Sequence, residues 1–333
     1  MNKIDNKTIL VTGGTGSFGS TFIKLLLSEY SPKKIIVFSR DEDKQHRLRL
    51  LLNNPIVEFQ IGDTRNRSRV YEVMKGVDIV FHAAALKQVP SGEFFPMEHV
   101  LTNIIGAQNV LDAAVDSNVD RVVVLSTDKA VYPINAMGMT KGLMEKLAIA
   151  KNKSSTKICV TRYGNVMCSR GSIIPIWISD AKSNIPLTVT NPNMTRFLLS
   201  LEDACKLVLF AINDTLGGEV YVMKAPACSM YTLASAVNKL FNNNNISFIG
   251  VRHGEKIHES LISSEEMYRI IEYDNYFKVL PDSRDINYNL YFSQGERVEE
   301  LLPFSSNLTK QLSVEEVINK LLELKEVQDE LRI

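Results

Sequence analysis

The sequence predicts an α/β protein built on a doubly wound parallel sheet, with a smaller second lobe. Three observations carry that expectation. Through the first half of the chain, short aliphatic runs alternate with stretches whose apolar residues recur at helical spacing. A glycine-rich turn joins the first such run to the first helical stretch, and a dense polar cluster follows a later run, at the carboxyl end where open parallel sheets bind ligands.

Thr8–Thr12 is expected as the first strand, followed by Gly13-Gly14-Thr15-Gly16-Ser17-Phe18-Gly19 and a helix through Ser20–Leu27. Gly13 would turn the chain, Gly16 would let backbone approach a pyrophosphate, and Gly19 would let the helix pack closely on the strand. The anion then meets free N–H groups at a helix start, so Gly13, Thr15, Gly16, Ser17, Phe18 and Gly19 are expected to hold a dinucleotide. The second strand, Lys34–Phe38, ends in Ser39-Arg40-Asp41. An acid here would bond the ribose hydroxyls of NAD, whereas an arginine suits a 2′-phosphate. Ser39 and Arg40, with Lys44 as a second cation, therefore favour NADP over NAD, against the competing explanation of a plain charged loop. A third strand, Phe59–Asp63, offers Asp63 to the adenine amine. A fourth, Asp78–Ala85, ends in Ala83, Ala84 and Ala85, small enough for the dinucleotide to lie close.

Arg121–Leu125 is the fifth strand and Lys157–Arg162 the sixth. The expected dinucleotide-binding part covers residues 1–165 and is rejoined by about 197–224, through a helix beginning at Leu201 and a strand at Glu219–Val222. Residues 166–196 and about 225–333 are expected to form the smaller lobe, with a strand at Leu187–Val189 and a charged helical tail.

Composition narrows the function. The 333 residues are 45% hydrophobic and 23% charged, ordinary for a globular chain. With 38 basic and 38 acidic residues, there is no electrostatic case for a nucleic acid or an anionic membrane as partner. No continuous apolar run reaches membrane-spanning length and the N-terminus lacks a signal-peptide core, so a cytoplasmic protein is expected. Cys159, Cys168, Cys205 and Cys228 are irregularly spaced, as are the histidines, and no metal site is expected.

The chemistry lies in Ser126–Lys141. Short-chain dehydrogenases carry Tyr-x-x-x-Lys on the helix after this strand, where the lysine lowers the tyrosine pKa so that phenolate takes a hydroxyl proton. Lys141 is present, but Met137 holds the tyrosine position. A thioether has no proton to exchange. Either the protein does no redox chemistry or another group is the base.

Over nearly its whole length the chain resembles the extended short-chain dehydrogenases that act as UDP-N-acetylglucosamine 4,6-dehydratases, most closely the 5-epimerising capsular type. The similarity rests on Val11–Gly19, Phe38–Asp41, His82–Pro90, Ser126–Lys141 with its methionine, Arg162–Val166, Asn193–Phe197 and Arg252–Lys256. The resemblance implies a Rossmann fold, NADP, UDP-N-acetylglucosamine as substrate and a homo-oligomer, dimer or hexamer. It makes Lys129 the base at C5 and Asp128 the acid at C6, with Thr127 relaying the C4 hydroxyl proton to Asp128 in place of Met137. It gives Lys141 to the nicotinamide ribose. To be neutral, Lys129 needs burial or a nearby cation, and Lys141 is the candidate cation. Lys87 and Asn103 are expected at the cofactor, and Lys87, Asn165, Arg196, Arg252 and Glu255 at the sugar nucleotide. Gly92, in the loop over the sugar, supplies no proton. Retention at C5, a GDP sugar, a 4-epimerase and a non-catalytic NADP-binding regulator are the alternatives.

Overall fold

The computed structural model describes residues 2–152, 155–282 and 301–331. The parts of the expected lobe at 283–300 and 332–333 lie outside the described residues. Among the described residues fifteen strands, β1 to β15, follow in chain order. β1 (Thr8–Thr12), β2 (Lys34–Ser39), β3 (Val57–Ile61), β4 (Ile79–His82), β5 (Arg121–Leu125), β6 (Lys157–Arg162) and β9 (Val220–Met223) form a parallel array in the order β3-β2-β1-β4-β5-β6-β9. Val11 pairs with Val37 on one side and Phe81 on the other. The central strands are rich in aliphatic residues because both faces are covered: every residue of β1, β4 and β5 is buried, whereas the edge strand β3 carries Glu58 and Gln60. The covering helices form two packed groups, Ser17–Glu29 with Leu201–Asp214, and Arg67–Val73, Gly106–Asp116 and Ala136–Lys151 together.

Chain order reverses between β1 and β4, and the loops after β1, β4, β5 and β6 open on the same crevice. That is where an open α/β sheet holds its ligand.

One boundary differs from expectation. β13 (Ile270–Glu272) and β14 (Tyr276–Val279) fall in the stretch assigned to the lobe, yet they extend the main sheet as antiparallel strands beyond β9. β9 would otherwise present an open edge, and β14 closes it with buried Phe277 and Val279. The smaller lobe has its own core of Trp177, Ile178, Leu187, Val189, Leu233, Val237, Val317 and Leu321. In it β7 (Leu187–Val189) pairs with β11 (Ile246–Phe248), and β8 (Thr195–Phe197) with β10 (Ala227–Ser229). β12 (Ser260–Ile262), paired with β15 (Phe304–Ser305), brings the preceding residue, Glu259, up to the crevice.

Candidate active site

The crevice has a volume of about 590 Å³ and is lined from both lobes. At one end stands the glycine loop. Gly13 has φ +66°, and a Cβ there would lie 2.8 Å from the Ala84 nitrogen and 2.9 Å from the Ala83 carbonyl carbon, so only glycine fits. The helix Ser17–Glu29 begins at Gly16 without a side-chain cap, leaving its first N–H groups to an incoming anion. Thr15, Ser17, Phe18, Gly19, Ala83, Ala84, Ala85 and Lys87 all line the same space. These residues fit a dinucleotide: backbone donors face a channel that side chains leave open.

Beyond β2, Ser39, Arg40 and Lys44 also line the crevice. Asp41 caps the helix Glu42–Leu52, accepting from the Lys44 N–H at 2.9 Å, and its carboxylate also meets Lys44 Nζ at 2.6 Å. Asp63 lines the crevice too, but its oxygens accept from the Arg65 backbone and guanidinium at 2.7–2.9 Å, and Arg40 lies 3.5 Å away. Asn103 does not line the crevice. Its buried amide bonds both backbone groups of Leu86 and the Thr140 hydroxyl, which fixes the chain leading to Lys87 rather than presenting a donor to a ligand.

At the other end is a buried charge cluster. Thr127 Oγ1 donates to Asp128 Oδ1 at 2.9 Å, and Lys129 Nζ donates to the same oxygen at 3.0 Å. Asp128 Oδ2 is buried without a hydrogen-bond partner. Lys129 Nζ also lies 3.3 Å from Glu259 Oε1, and Lys256 and Arg196 approach Glu259 at 3.6 and 3.9 Å. Ser306 Oγ accepts from the Glu259 N–H at 2.9 Å and fixes its backbone. Gly138 holds the other side: a Cβ there would collide with the Lys129 carbonyl oxygen, so helix Ala136–Lys151 rests directly on the turn Asp128–Ala130.

Burial and neighbouring charge set the ionisation. Burial pushes the Asp128 carboxyl above its usual range, against the pull of Lys129 and with the help of Glu259. For Lys129, burial works downward, but the charges of Asp128 and Glu259 outweigh it and hold the ammonium above the ordinary lysine range. The expectation that Lys141 acts as the cation beside Lys129 is not met. Lys141 Nζ donates to the Leu125 carbonyl at 2.5 Å and lies 3.4 Å from Met144 Sδ, and burial draws it down to about 8. Arg196, on the far side of Glu259, is the cation that opposes the charge on Lys129.

Met137 lines the crevice and is 4% exposed. Tyr163 also lines it, stacked on Phe18 at 6.2 Å, but burial pushes its phenol up and away from service as a base. Asn165 is exposed within the crevice. Arg252 and Glu255 stand outside its lining, with the Arg252 N–H donating to Glu255 Oε2 at 3.3 Å.

The polysaccharide biosynthesis protein family matches residues 9–281, and its C-terminal region matches 282–328. The chain belongs to this family. Among its relatives is a protein named UDP-glucose 4-epimerase from Rickettsia bellii, 54% identical over 98% of both chains. Its counterpart from Rickettsia felis is 52% identical over the same shares. The solved structure of Pen from Bacillus thuringiensis superposes with a TM-score of 0.87 at 34% identity, covering 97% of this chain and all of that one. DesIV, a dTDP-glucose 4,6-dehydratase from Streptomyces venezuelae, shares the fold at a TM-score of 0.69 and 21% identity, covering 75% of this chain and 86% of that one.

In this member of the polysaccharide biosynthesis family, two residues that sequence reasoning missed bear on the site. Glu259 is one, an acid directly before a short buried strand. The other is Arg170, whose Nη2 donates to the Thr15 carbonyl at 2.8 Å while its N–H reaches Ser17 Oγ at 3.2 Å. Lys87 Nζ donates to the Arg170 carbonyl at 3.1 Å, so this segment crosses from the lobe to the glycine loop.

Proposed function

We propose that this chain is a UDP-N-acetylglucosamine 4,6-dehydratase that inverts C5 and uses NADP, in the synthesis of a capsule, O-antigen or related surface glycan. The observation that carries this reading is the buried Asp128–Lys129 pair in the same crevice as the glycine loop. It offers an acid and a base to adjacent carbons, as elimination of water requires. NADP is preferred because Arg40 lines the crevice directly after β2, where the Asp41 carboxylate is paired with Lys44.

When bound, the nicotinamide would accept the C4 hydride and deliver it to C6. Up to the loss of water, each proton is handled by the chain. Thr127, already donating to Asp128, passes the C4 hydroxyl proton to that carboxylate, a task Met137 cannot perform. The C4 ketone acidifies the C5 proton, Lys129 removes it, and Asp128 protonates the departing C6 hydroxyl. Lys141 holds the ribose side of the crevice. Asn165 and Lys87 receive the sugar nucleotide from within the crevice, and Arg196, Arg252 and Glu255 from its border. Gly92 packs on the His99 ring and presents no acid, so in inversion the proton returning to C5 comes from solvent.

Leu101, Ile105, Met139 and Leu143 are exposed on two helical segments in mutual contact, which supports a homo-oligomer, dimer or hexamer. Among the described residues no helix is long and apolar enough to cross a membrane, and a cytoplasmic enzyme is the reading proposed.

A second reading, a 4-epimerase acting on UDP-glucose, is favoured by the names of the relatives. Against it stands Met137 at the position where a 4-epimerase needs a base, and an Asp128–Lys129 pair for which epimerisation has no use. Incubation of the pure protein with UDP-N-acetylglucosamine, followed by mass spectrometry and NMR, separates the two. Loss of water with a 4-keto-6-deoxy product supports the dehydratase; a product of unchanged mass and inverted C4 supports the epimerase.

A further inference from the structure

The dehydratase reading leaves one proton without a place. In the resting site Lys129 is an ammonium held by Asp128 Oδ1 at 3.0 Å and Glu259 Oε1 at 3.3 Å. To take the C5 proton it must first lose its own. Asp128 cannot receive that proton, because it is receiving the one from the C4 hydroxyl. We infer that Glu259 takes the ammonium proton of Lys129 and stores it while the lysine acts on C5.

The count closes. With Asp128 and Glu259 as carboxylates at rest, Lys129 carries the only mobile proton of the three. Oxidation at C4 sends a hydride to the cofactor and a proton through Thr127 to Asp128, while Lys129 passes its proton to Glu259. Neutral Lys129 then breaks the C5–H bond, taking the proton as the electron pair forms the C5–C6 double bond. The C6–O bond breaks, and Asp128 gives its proton to the leaving hydroxide to make water. The hydride arrives at C6 and a proton at C5. If C5 keeps its configuration that proton comes from Lys129; if C5 inverts, solvent supplies it and one proton leaves Lys129 for solvent. Glu259 then returns its proton to Lys129 and the resting state is restored.

The surroundings suit the task. Glu259 is 2% exposed in its side chain, and Oε1, the oxygen 3.3 Å from Lys129 Nζ, is the atom that takes the proton, while Oε2, buried without a hydrogen-bond partner, faces Lys256 Nζ at 3.6 Å. The charged and proton-bearing groups facing it come from every element around the cluster: Lys129, Asp128 and Thr127 from the turn after β5, Arg196 from β8, and Lys256 from the loop before β12. Burial pushes the Glu259 carboxyl up, and Lys129, Arg196 and Lys256 together hold it low, the pull of Lys129 being the strongest. That strongest pull vanishes as Lys129 gives up its proton. Glu259 therefore becomes a better acceptor in the step that needs one. It does not line the crevice, whereas Lys129 does, and it acts through Lys129, which makes it a positioning residue for the lysine's proton.

Glu259→Gln keeps the shape and removes the proton store. In single-turnover reaction with UDP-N-acetylglucosamine, hydride loss from C4 is expected within about threefold of wild type. Reduced cofactor then accumulates, because water loss slows by about a hundredfold or more. KM stays near wild type, and Glu259→Asp recovers part of the elimination rate. The idea is overturned if the glutamine variant eliminates water at the wild-type rate without accumulating reduced cofactor, or if both steps fall together. Failure of the dehydratase reading looks different: wild type itself then loses no water. A second measurement serves in either case, the ¹⁵N NMR titration of Lys129 Nζ in the protein without substrate. Its pKa is expected to fall by about one unit or more in Glu259→Gln; equal titration in both proteins contradicts the pairing.

Discussion

The two ends of the crevice are built on opposite principles. At the glycine loop the chain works by leaving things out: Gly13 and the three alanines after β4 clear a channel, and an uncapped helix start offers N–H groups. At the reaction end it crowds charge into a buried space, with Asp128, Lys129, Glu259, Lys256 and Arg196 drawn from three separate segments. The first end needs shape and the second needs a defined protonation state. The first should therefore fail when bulk is added, and the second when charge is altered without any change of shape.

Lys129→Ala gives the largest expected effect. Dehydration falls on the order of 10³-fold while NADP binding, measured by equilibrium titration, stays as in wild type. A loss of cofactor affinity in parallel would mean that the ends are not separate. Asp128→Asn follows, lowering elimination by about a hundredfold or more in single-turnover assays, since it disables both the relay from Thr127 and the C6 acid. Elimination near the wild-type rate would remove Asp128 from the mechanism.

Gly13→Ala is the mirror experiment. The added Cβ meets the Ala83–Ala84 backbone at a φ of +66°, at a cost of about 1–3 kcal/mol, and cofactor affinity is expected to fall about tenfold or more. The titration of Lys129 should not move. Arg40→Ala is expected to weaken NADP about tenfold and NAD little, from loss of one charge-assisted contact. Equal weakening of both would assign Arg40 to packing. Met137→Ala comes last: measurable dehydration persists, with stability lowered by about 2 kcal/mol for a truncated buried side chain, seen as a lower Tm.

The same contrast decides what could be read from the sequence. The glycine loop, the strands and Ala83–Ala85 are local patterns of residue type and spacing, legible even where the contact that needs them, as between Gly13 and Ala83–Ala84, is made across the sheet. Asp128 and Lys129 were legible for the same reason. The charge state of Lys129 was not, because it is set by Glu259, which shares no spacing or periodicity with the segment it touches. By sequence Lys141, one helical turn from Met137, is the candidate cation near Lys129; folding aims that side chain at the Leu125 carbonyl instead. Asn103 was placed at the cofactor by resemblance, while its amide is spent on Leu86 and Thr140. β13 and β14 were assigned to the lobe because edge pairing with β9 depends on where the chain returns, which no local pattern encodes.

The central claim is that hydrogen moves from C4 to C6 in one sugar, with water lost between. UDP-N-acetylglucosamine carrying deuterium at C4 tests it most directly, with the product read by NMR and mass spectrometry. The dehydratase places the deuterium in the C6 methyl group of a 4-keto sugar, in a product lighter by one water. Deuterium found back at C4, in a product of unchanged mass, would contradict the account and make the chain an epimerase.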